Sequence, residues 1–201
     1  MTKIKLCGLK RPCDIEYANK LLPEYIGFVF AGNSKRYVTP EKAEVLRKQL
    51  NKEITPVGVF ADEKTEVIAE LLNRHIIEAV QLHGNENENY INTLKHLTNC
   101  TIIKAFSIKS KEDIISANLS SADYVLLDSG GGSGETFDWA LIQKIKRPYF
   151  LAGGLTCENV KTAISELHPF AVDASSSLET DGFKDKEKMT AFVNAVRQRK
   201  D

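Results

Sequence analysis

The chain has 201 residues, 42% of them hydrophobic, and this length suits one substantial core better than two domains. Lysine and arginine together number 27, as do aspartate and glutamate, so no net charge is present to attract nucleic acid or an anionic membrane. No apolar run approaches the roughly 18 residues of a membrane span, and the start MTKIKLCGL reaches a glycine too early for a signal-peptide core. We therefore expect a single domain over residues 1–201, in the cytoplasm, with neither a nucleic-acid nor a membrane partner.

Eight short runs rich in valine, isoleucine, leucine and phenylalanine have the length and composition of buried parallel strands. In chain order they are KIKLCG (3–8), YIGFVF (25–30), TPVGVF (55–60), EAVQLH (78–83), TIIKAF (101–106), DYVLLD (123–128), PYFLAGG (148–154) and FAVDAS (170–175).

The segments between these runs place apolar residues at helical spacing, one stripe in each segment. The clearest stripe consists of Val160, Ala163, Ile164 and Leu167. Thr39 followed by Pro40 is a helix start signal, since threonine caps a helix and proline suits its first position. Only the segment 107–122 lacks a clear pattern, so we expect a weak or missing helix between strands five and six.

Eight strand and helix alternations predict a parallel sheet closed as a compact, single-domain (β/α)₈ TIM barrel. A doubly wound open sheet is the main alternative, but eight units exceed its usual number. In such barrels the active site lies where the carboxyl ends of the strands meet. The polar or glycine residues at these ends are Cys7, His83, Asp128, Gly153, Gly154, Asp173, Ser175, Ser176 and Ser177.

The four cysteines form no CxxC pair and no Cys/His cluster. This spacing indicates neither a zinc site nor a disulfide framework. We expect Cys7, Cys13, Cys100 and Cys157 to be free thiols.

Eight segments, in order and at matching intervals over the whole chain, resemble the phosphoribosylanthranilate isomerases of tryptophan biosynthesis. They are KLCGL (5–9), GFVF (27–30), SKRYVTPEKA (34–43), VGVF (57–60), VQLHGNE (80–86), LLDS with GGSGETFDW (126–139), LAGGLTCENV (151–160) and FAVDASS (170–176). The resemblance implies an aldose–ketose isomerase that carries out an Amadori rearrangement. Such a reaction moves only protons, so the resemblance implies no metal and no redox cofactor.

By this resemblance Cys7 is the catalytic base and Asp128 the catalytic acid. A free thiol has a pKa of about 8.5, so a thiolate base near neutrality requires nearby dipoles or positive charge. A carboxylic acid that donates a proton must in turn be held protonated by burial. The alternative interpretations are a small buried hydrophobe for Cys7 and a helix cap or turn former for Asp128.

The resemblance also implies a phosphate site formed by Gly153 and Gly154 after strand seven and by Ser175, Ser176 and Ser177 after strand eight. Many barrels bind phosphate at this place with backbone N–H groups and a short helix, although either turn by itself could be an ordinary connection. The family commonly has glycine where this chain has Ser177. A left-handed backbone angle there would be strained by serine or absorbed by a local change.

Three further residues are expected to bind the substrate. Arg36 corresponds to the family arginine that meets the anthranilate carboxylate, and Asp173 to the aspartate beside the anilino nitrogen. The alternatives are a solvated arginine and a structural buried acid. His83 is a secondary candidate, because a lone histidine at a strand end is as often a packing residue.

The glycine-rich segment 129–137 is interpreted as a lid over the substrate, with a permissive connector as the alternative. Phe137 and Trp139 would anchor its far end. The expected partner is a small phosphosugar, and the sequence leaves open whether the chain is a monomer or a homodimer. Two other functions fit parts of the pattern: a related phosphosugar epimerase or synthase, and a phosphosugar-binding barrel without catalysis.

Overall fold

A computed structural model describes residues 1–128 and 139–197 of the chain. Its core is a closed barrel of eight parallel strands, each paired with its neighbours in chain order, with the last strand paired to the first. The strands are β1 (Lys3–Cys7), β2 (Tyr25–Val29), β3 (Thr55–Phe60), β4 (Ala79–Leu82), β5 (Thr101–Ser107), β6 (Tyr124–Asp128), β7 (Tyr149–Ala152) and β8 (Ala171–Ala174). The barrel prediction is confirmed, and the open-sheet alternative is wrong.

In the described residues eight α-helices surround the barrel: α1 (Pro12–Leu21), α2 (Pro40–Gln49), α3 (Thr65–Asn73), α4 (Glu88–Leu97), α5 (Lys111–Leu119), α6 (Trp139–Ile142), α7 (Val160–Leu167) and α8 (Lys186–Arg197). The expected cap is present at α2, where Thr39 accepts a hydrogen bond from the backbone N–H of Lys42. After β8 come a 3₁₀-helix (Ser176–Leu178) and a hairpin of β9 (Glu179–Thr180) and β10 (Phe183–Lys184). Within the described ranges, every helix is too short or too polar to cross a membrane.

The expectation of a weak or missing helix between strands five and six was wrong. α5 has nine residues and begins with a capping box, in which Ser110 and Asp113 each bond the other's backbone N–H. Ile114 is buried in this helix, whereas Ile115 and Leu119 face solvent. The apolar residues therefore do not form one stripe, and the helical period is hidden in the sequence. In the described part of the chain the shortest α-helix is instead α6, with four residues.

The inside of the barrel is filled in layers. One layer contains Val57, Ala79, Ile103, Leu126, Phe150 and Ala171, and toward the carboxyl ends of the strands Cys7 packs against Val29 and Val59. Side chains alternate along a strand, so Lys5 and Cys7 of β1 point to the same side. Above these aliphatic layers the residues that point into the barrel are polar, and they form the base of the site described next.

Candidate active site

A cavity of about 440 Å³ opens at the carboxyl ends of the strands, where active sites of such barrels lie. All ten candidate residues line it: Cys7, Arg36, His83, Asp128, Gly153, Gly154, Asp173, Ser175, Ser176 and Ser177. Residues more than 160 positions apart in the chain thus line one cavity. Their position in the cavity does not by itself establish the role of each residue. The rest of the wall is mostly aliphatic, including Val29, Val59 and Leu126, with Ser34 and Gln81 as its polar members.

Cys7 ends β1 and is 8% exposed, at the base of the cavity. Glycines on both sides make room for it. A Cβ atom at Gly27, which pairs with Cys7 across the sheet, would lie 2.6 Å from the thiol sulfur. Gly8 has φ of +83°, and a Cβ there would lie 2.4 Å from Cδ of Arg36. The thiol and this arginine therefore occupy space that a side chain at Gly27 or at Gly8 would fill.

Lys5 lies beneath Cys7 with no exposed surface, and the sequence analysis missed it. Its Nζ donates to both carboxylate oxygens of Asp173 at 3.0 Å. Burial by itself lowers the pKa of Lys5, but the interactions with Asp173 and Cys7 together outweigh burial, so the pKa is raised and the ammonium stays charged. The signal was present in the sequence, because strand alternation places Lys5 on the same side as Cys7.

Burial raises the pKa of the Cys7 thiol above its ordinary value. The positive charge of Lys5 opposes this effect, and the negative charge of Asp173 adds to it. In the free protein the thiol is therefore held protonated, and the positive charge that a thiolate base requires is only partly supplied by Lys5.

Asp128 ends β6, and its Oδ2 lies 3.9 Å from Nε2 of His83. Nδ1 of the same ring lies 3.0 Å from the side-chain Nε2 of Gln81. If the amide N–H donates to Nδ1, the imidazole is the tautomer with its proton on Nε2, the nitrogen that faces Asp128. The sequence analysis missed Gln81, although the alternation in VQLH places it on the same face of β4 as His83.

Arg36 is engaged by an acid from the hairpin. Its Nε and Nη2 donate to the two carboxylate oxygens of Glu179 at 2.6 and 2.8 Å, and Nζ of Lys184 reaches the same carboxylate at 2.6 Å. Burial by itself raises the pKa of Glu179, but the two cations outweigh burial and lower it. Sequence reasoning missed Glu179 and Lys184 because the short hairpin carries no recognisable motif.

The expected phosphate end is shaped by backbone conformation. Gly153 and Gly154 have φ of +89° and +62°, angles that favour glycine. The hydroxyl of Ser175 donates to the carbonyl of Cys7 at 2.9 Å, and the 3₁₀-helix follows it. Ser177 lies inside that helix and not among the residues with positive φ, so the anticipated strain from serine is not present.

The proposed lid, residues 129–137, and its anchor Phe137 lie outside the described residues. Trp139 begins α6 and is partly buried against the main core, consistent with a packing role.

Comparison with known proteins gives one consistent result. Residues 4–195 match the family model described as N-(5'phosphoribosyl)anthranilate (PRA) isomerase. An N-(5'-phosphoribosyl)anthranilate isomerase of Clostridium acetobutylicum is 44% identical over 207 residues, covering 98% of this chain and 99% of the relative.

Two crystal structures are similar over nearly their whole length. One is a phosphoribosyl anthranilate isomerase in complex with reduced 1-(o-carboxyphenylamino)-1-deoxyribulose 5-phosphate, with a TM-score of 0.88 at 33% identity, covering 98% of this chain and 100% of that one. The other is of monomers of the dimeric isomerase from Thermotoga maritima, with a TM-score of 0.84 at 30% identity, covering 98% and 99%. The chain therefore belongs to the phosphoribosylanthranilate isomerase family.

Proposed function

We propose that the chain converts N-(5-phosphoribosyl)anthranilate into 1-(o-carboxyphenylamino)-1-deoxyribulose 5-phosphate, with Cys7 as the base and Asp128 as the acid. The observation that carries the proposal is that a thiol from β1 and a carboxyl group from β6 line one cavity. The reduced product analogue bound by a structural relative has the size and groups that such a cavity must accept.

The proposed reaction has three proton steps. Asp128 protonates the ribose ring oxygen, the bond from that oxygen to C1 breaks, and the anilino nitrogen lone pair forms an iminium. Cys7 releases its thiol proton to solvent, and the resulting thiolate removes the proton from C2, giving an enolamine with a hydroxyl group on C2. Finally C1 takes that proton back from Cys7, while the C2 hydroxyl releases its proton through solvent to Asp128, and C2 becomes a ketone. Cys7 then takes a proton from solvent, so both side chains regain their starting forms.

Charges near the cavity favour this order of steps. Burial raises the pKa of Cys7, so the thiolate is favoured when the cationic iminium has formed beside it, with Lys5 adding positive charge from below. The Nε2 proton of His83 faces Asp128 and stabilises the carboxylate that remains after the first proton is given away. The base therefore becomes effective after the acid has acted.

The two anionic ends of the substrate require separate anchors. Glu179 uses Nε and Nη2 of Arg36, which leaves Nη1 to donate to the anthranilate carboxylate. Asp173 faces the anilino nitrogen, and the turns at Gly153–Gly154 and Ser175–Ser177 hold the phosphate through backbone N–H groups. With these anchors, the proposed substrate has its reacting carbons between Cys7 and Asp128.

Two single substitutions test the assignment. Cys7→Ala and Asp128→Ala should each lower kcat by about two orders of magnitude or more, because each removes one partner of a proton transfer. Both variants should bind the reduced product analogue within a few-fold of the unchanged protein. Loss of substrate fluorescence measures turnover, and Cys13→Ala, which alters a thiol outside the cavity, is the matched control. Near-full turnover in either variant would remove the role assigned to that residue.

The proposed partner is this small phosphosugar alone, and all the named site residues come from one chain, so catalysis requires no second subunit whether the chain is a monomer or a homodimer. We place the reaction in the cytoplasm because a catalytic thiol has to stay reduced, and the cytosol keeps thiols reduced. The claim about subunits is tested by diluting the protein until light scattering shows only monomers and measuring whether turnover per molecule persists. The requirement for a reduced thiol, on which the cytoplasmic assignment rests, is tested by loss of activity under mild oxidants.

A further inference from the structure

Gln81 is a polar side chain at the base of the cavity that none of the proton steps above uses. It is 2% exposed and lines the cavity together with Cys7 and Asp128. Its Nε2 lies 3.0 Å from Nδ1 of His83. Its Oε1 is buried and has no hydrogen-bond partner among residues 1–128 and 139–197. A buried acceptor of this kind is costly unless a ligand or a water molecule satisfies it.

The position of Gln81 relates it to the reacting carbons. Gln81 pairs with Val59 across the sheet, and Val59 packs directly against Cys7. The surrounding wall is aliphatic, with Val59, Ala61 and Leu126. Gln81 is thus a polar side chain among aliphatic neighbours, close to the thiol of Cys7.

The direction of this hydrogen bond is linked to the tautomer of His83. Nε2 of the amide faces Nδ1, and it donates there in the tautomer that carries the ring proton on Nε2. In this arrangement the acceptor Oε1 is directed away from His83. A ligand atom that satisfies it has to be a donor, an O–H or an N–H group.

We propose that Oε1 of Gln81 accepts a hydrogen bond from the hydroxyl group on C2 of the sugar, which makes Gln81 a further catalytic residue. This inference rests on the proposed function, because C2 is the carbon from which Cys7 removes a proton. Of the substrate's donors, the C2 hydroxyl is attached to the carbon nearest the thiol in that step. The anilino N–H is already assigned to Asp173.

The hydrogen bond contributes most in the last step. As C1 takes up its proton, the electron pair of the C1–C2 double bond moves to C1 and an oxygen lone pair closes the C2 ketone. The O–H bond becomes strongly acidic at this stage, and a hydrogen bond from it to an amide oxygen strengthens accordingly. The amide is too weak a base to keep the proton, which leaves to solvent. Gln81 therefore stabilises the charge that develops on O2 and orients this hydroxyl.

The experiment compares two ligands on three proteins. The reduced product analogue has a hydroxyl group on C2, and its 2-deoxy congener has only hydrogens there. The unchanged protein should bind the hydroxyl analogue about 10- to 100-fold more tightly, because the congener leaves Oε1 unpaired. Gln81→Met, which keeps the unbranched shape without the acceptor, should bind the two ligands within about threefold. Gln81→Glu, which keeps an acceptor, should still prefer the hydroxyl analogue.

Turnover supplies a second readout. Gln81→Met should lower kcat about 10- to 100-fold while KM changes less, since the contact strengthens after binding. If the methionine variant fails to fold, Gln81→Leu takes its place in both measurements. Equal affinity of the unchanged protein for both ligands would overturn the proposal, as would a Gln81→Met protein with the original preference. If the unchanged protein turns over phosphoribosylanthranilate but shows no preference, only this inference fails. If it shows no turnover, the proposed function itself fails.

Discussion

The thiol of Cys7 combines a catalytic assignment with surroundings that keep it protonated. Burial raises its pKa, the nearby Asp173 carboxylate adds to the rise, and Lys5 offsets only part of it. Near neutral pH such a thiol therefore reacts slowly with reagents, and it becomes an effective base when the iminium cation forms in the cavity. The surroundings of Cys7 thus limit side reactions of the thiol and still allow it to remove the C2 proton from the substrate.

The ionisation of Cys7 can be measured directly. In a variant with Cys13→Ser, Cys100→Ser and Cys157→Ser, Cys7 is the remaining thiol. Its alkylation rate should rise with pH at a midpoint above that of a free thiol, about 8.5, because a raised pKa moves thiolate formation to higher pH. A midpoint at or below that of a cysteine peptide in the same buffer would contradict the raised pKa.

The residues that sequence reasoning found and missed differ in a simple way. Cys7 and Asp128 end strands and belong to recognisable segments, so their place at the mouth followed from the barrel. Lys5 and Gln81 lie inside strands, where a polar residue is easily assigned to the outer surface. Glu179 became visible only through its contacts, because a two-residue strand has no periodicity to detect.

At the scale of secondary-structure elements, α5 shows that local capping can replace an apolar stripe. Asp113 accepts hydrogen bonds from the backbone N–H groups of Lys109 and Ser110, both at 2.9 Å. The N–H of Lys109 makes the largest contribution to lowering the pKa of Asp113. The cap is therefore intact at neutral pH and is lost as the pH falls through that lowered pKa. The strands were easier to predict because burial on both faces gives continuous apolar runs.

Removal of this cap has a predictable cost. Ser110→Ala deletes the acceptor for the N–H of Asp113 and should lower the free energy of unfolding by about 0.5–2 kcal/mol at neutral pH. Ser116→Ala, at an exposed position in the same helix, should leave stability unchanged or slightly raised, because alanine is the better helix former. Urea unfolding followed by circular dichroism measures both. An equal effect of the two substitutions would show that the capping box does not stabilise α5.

At the scale of the whole molecule, the buried ion pair of Lys5 and Asp173 joins the first strand to the last. We propose that residues 1–201 unfold as one domain, since the barrel closes only when its first strand, β1, pairs with its last, β8. Both predicted features, eight strands and a shared mouth, follow from counting alternations. The ion pair between β1 and β8 could not be predicted in this way, because nothing in the sequence of either strand identifies its partner.

The contribution of the Lys5–Asp173 ion pair to stability can be tested with two variants. Lys5→Met leaves the carboxylate of Asp173 buried without its cation and should lower the free energy of unfolding by about 3–5 kcal/mol. The double variant Lys5→Met with Asp173→Leu should recover part of this loss. The deficit of the single variant should shrink at lower pH, because without Lys5 burial raises the pKa of Asp173 and the folded form takes up a proton more readily than the unfolded form. A deficit that is independent of pH would contradict this origin. Chemical denaturation at several pH values gives all three results.

Closure of β1 onto β8 has a consequence for synthesis of the chain. The contact between Lys5 and Asp173 spans 168 positions, so the cation beneath the thiol has no counterion until nearly the entire polypeptide has been translated. Contacts of such long range form slowly. A nascent chain still attached to the ribosome therefore exposes an amino-terminal strand with a lysine it cannot yet bury, and activity appears only after the carboxyl-terminal segment emerges.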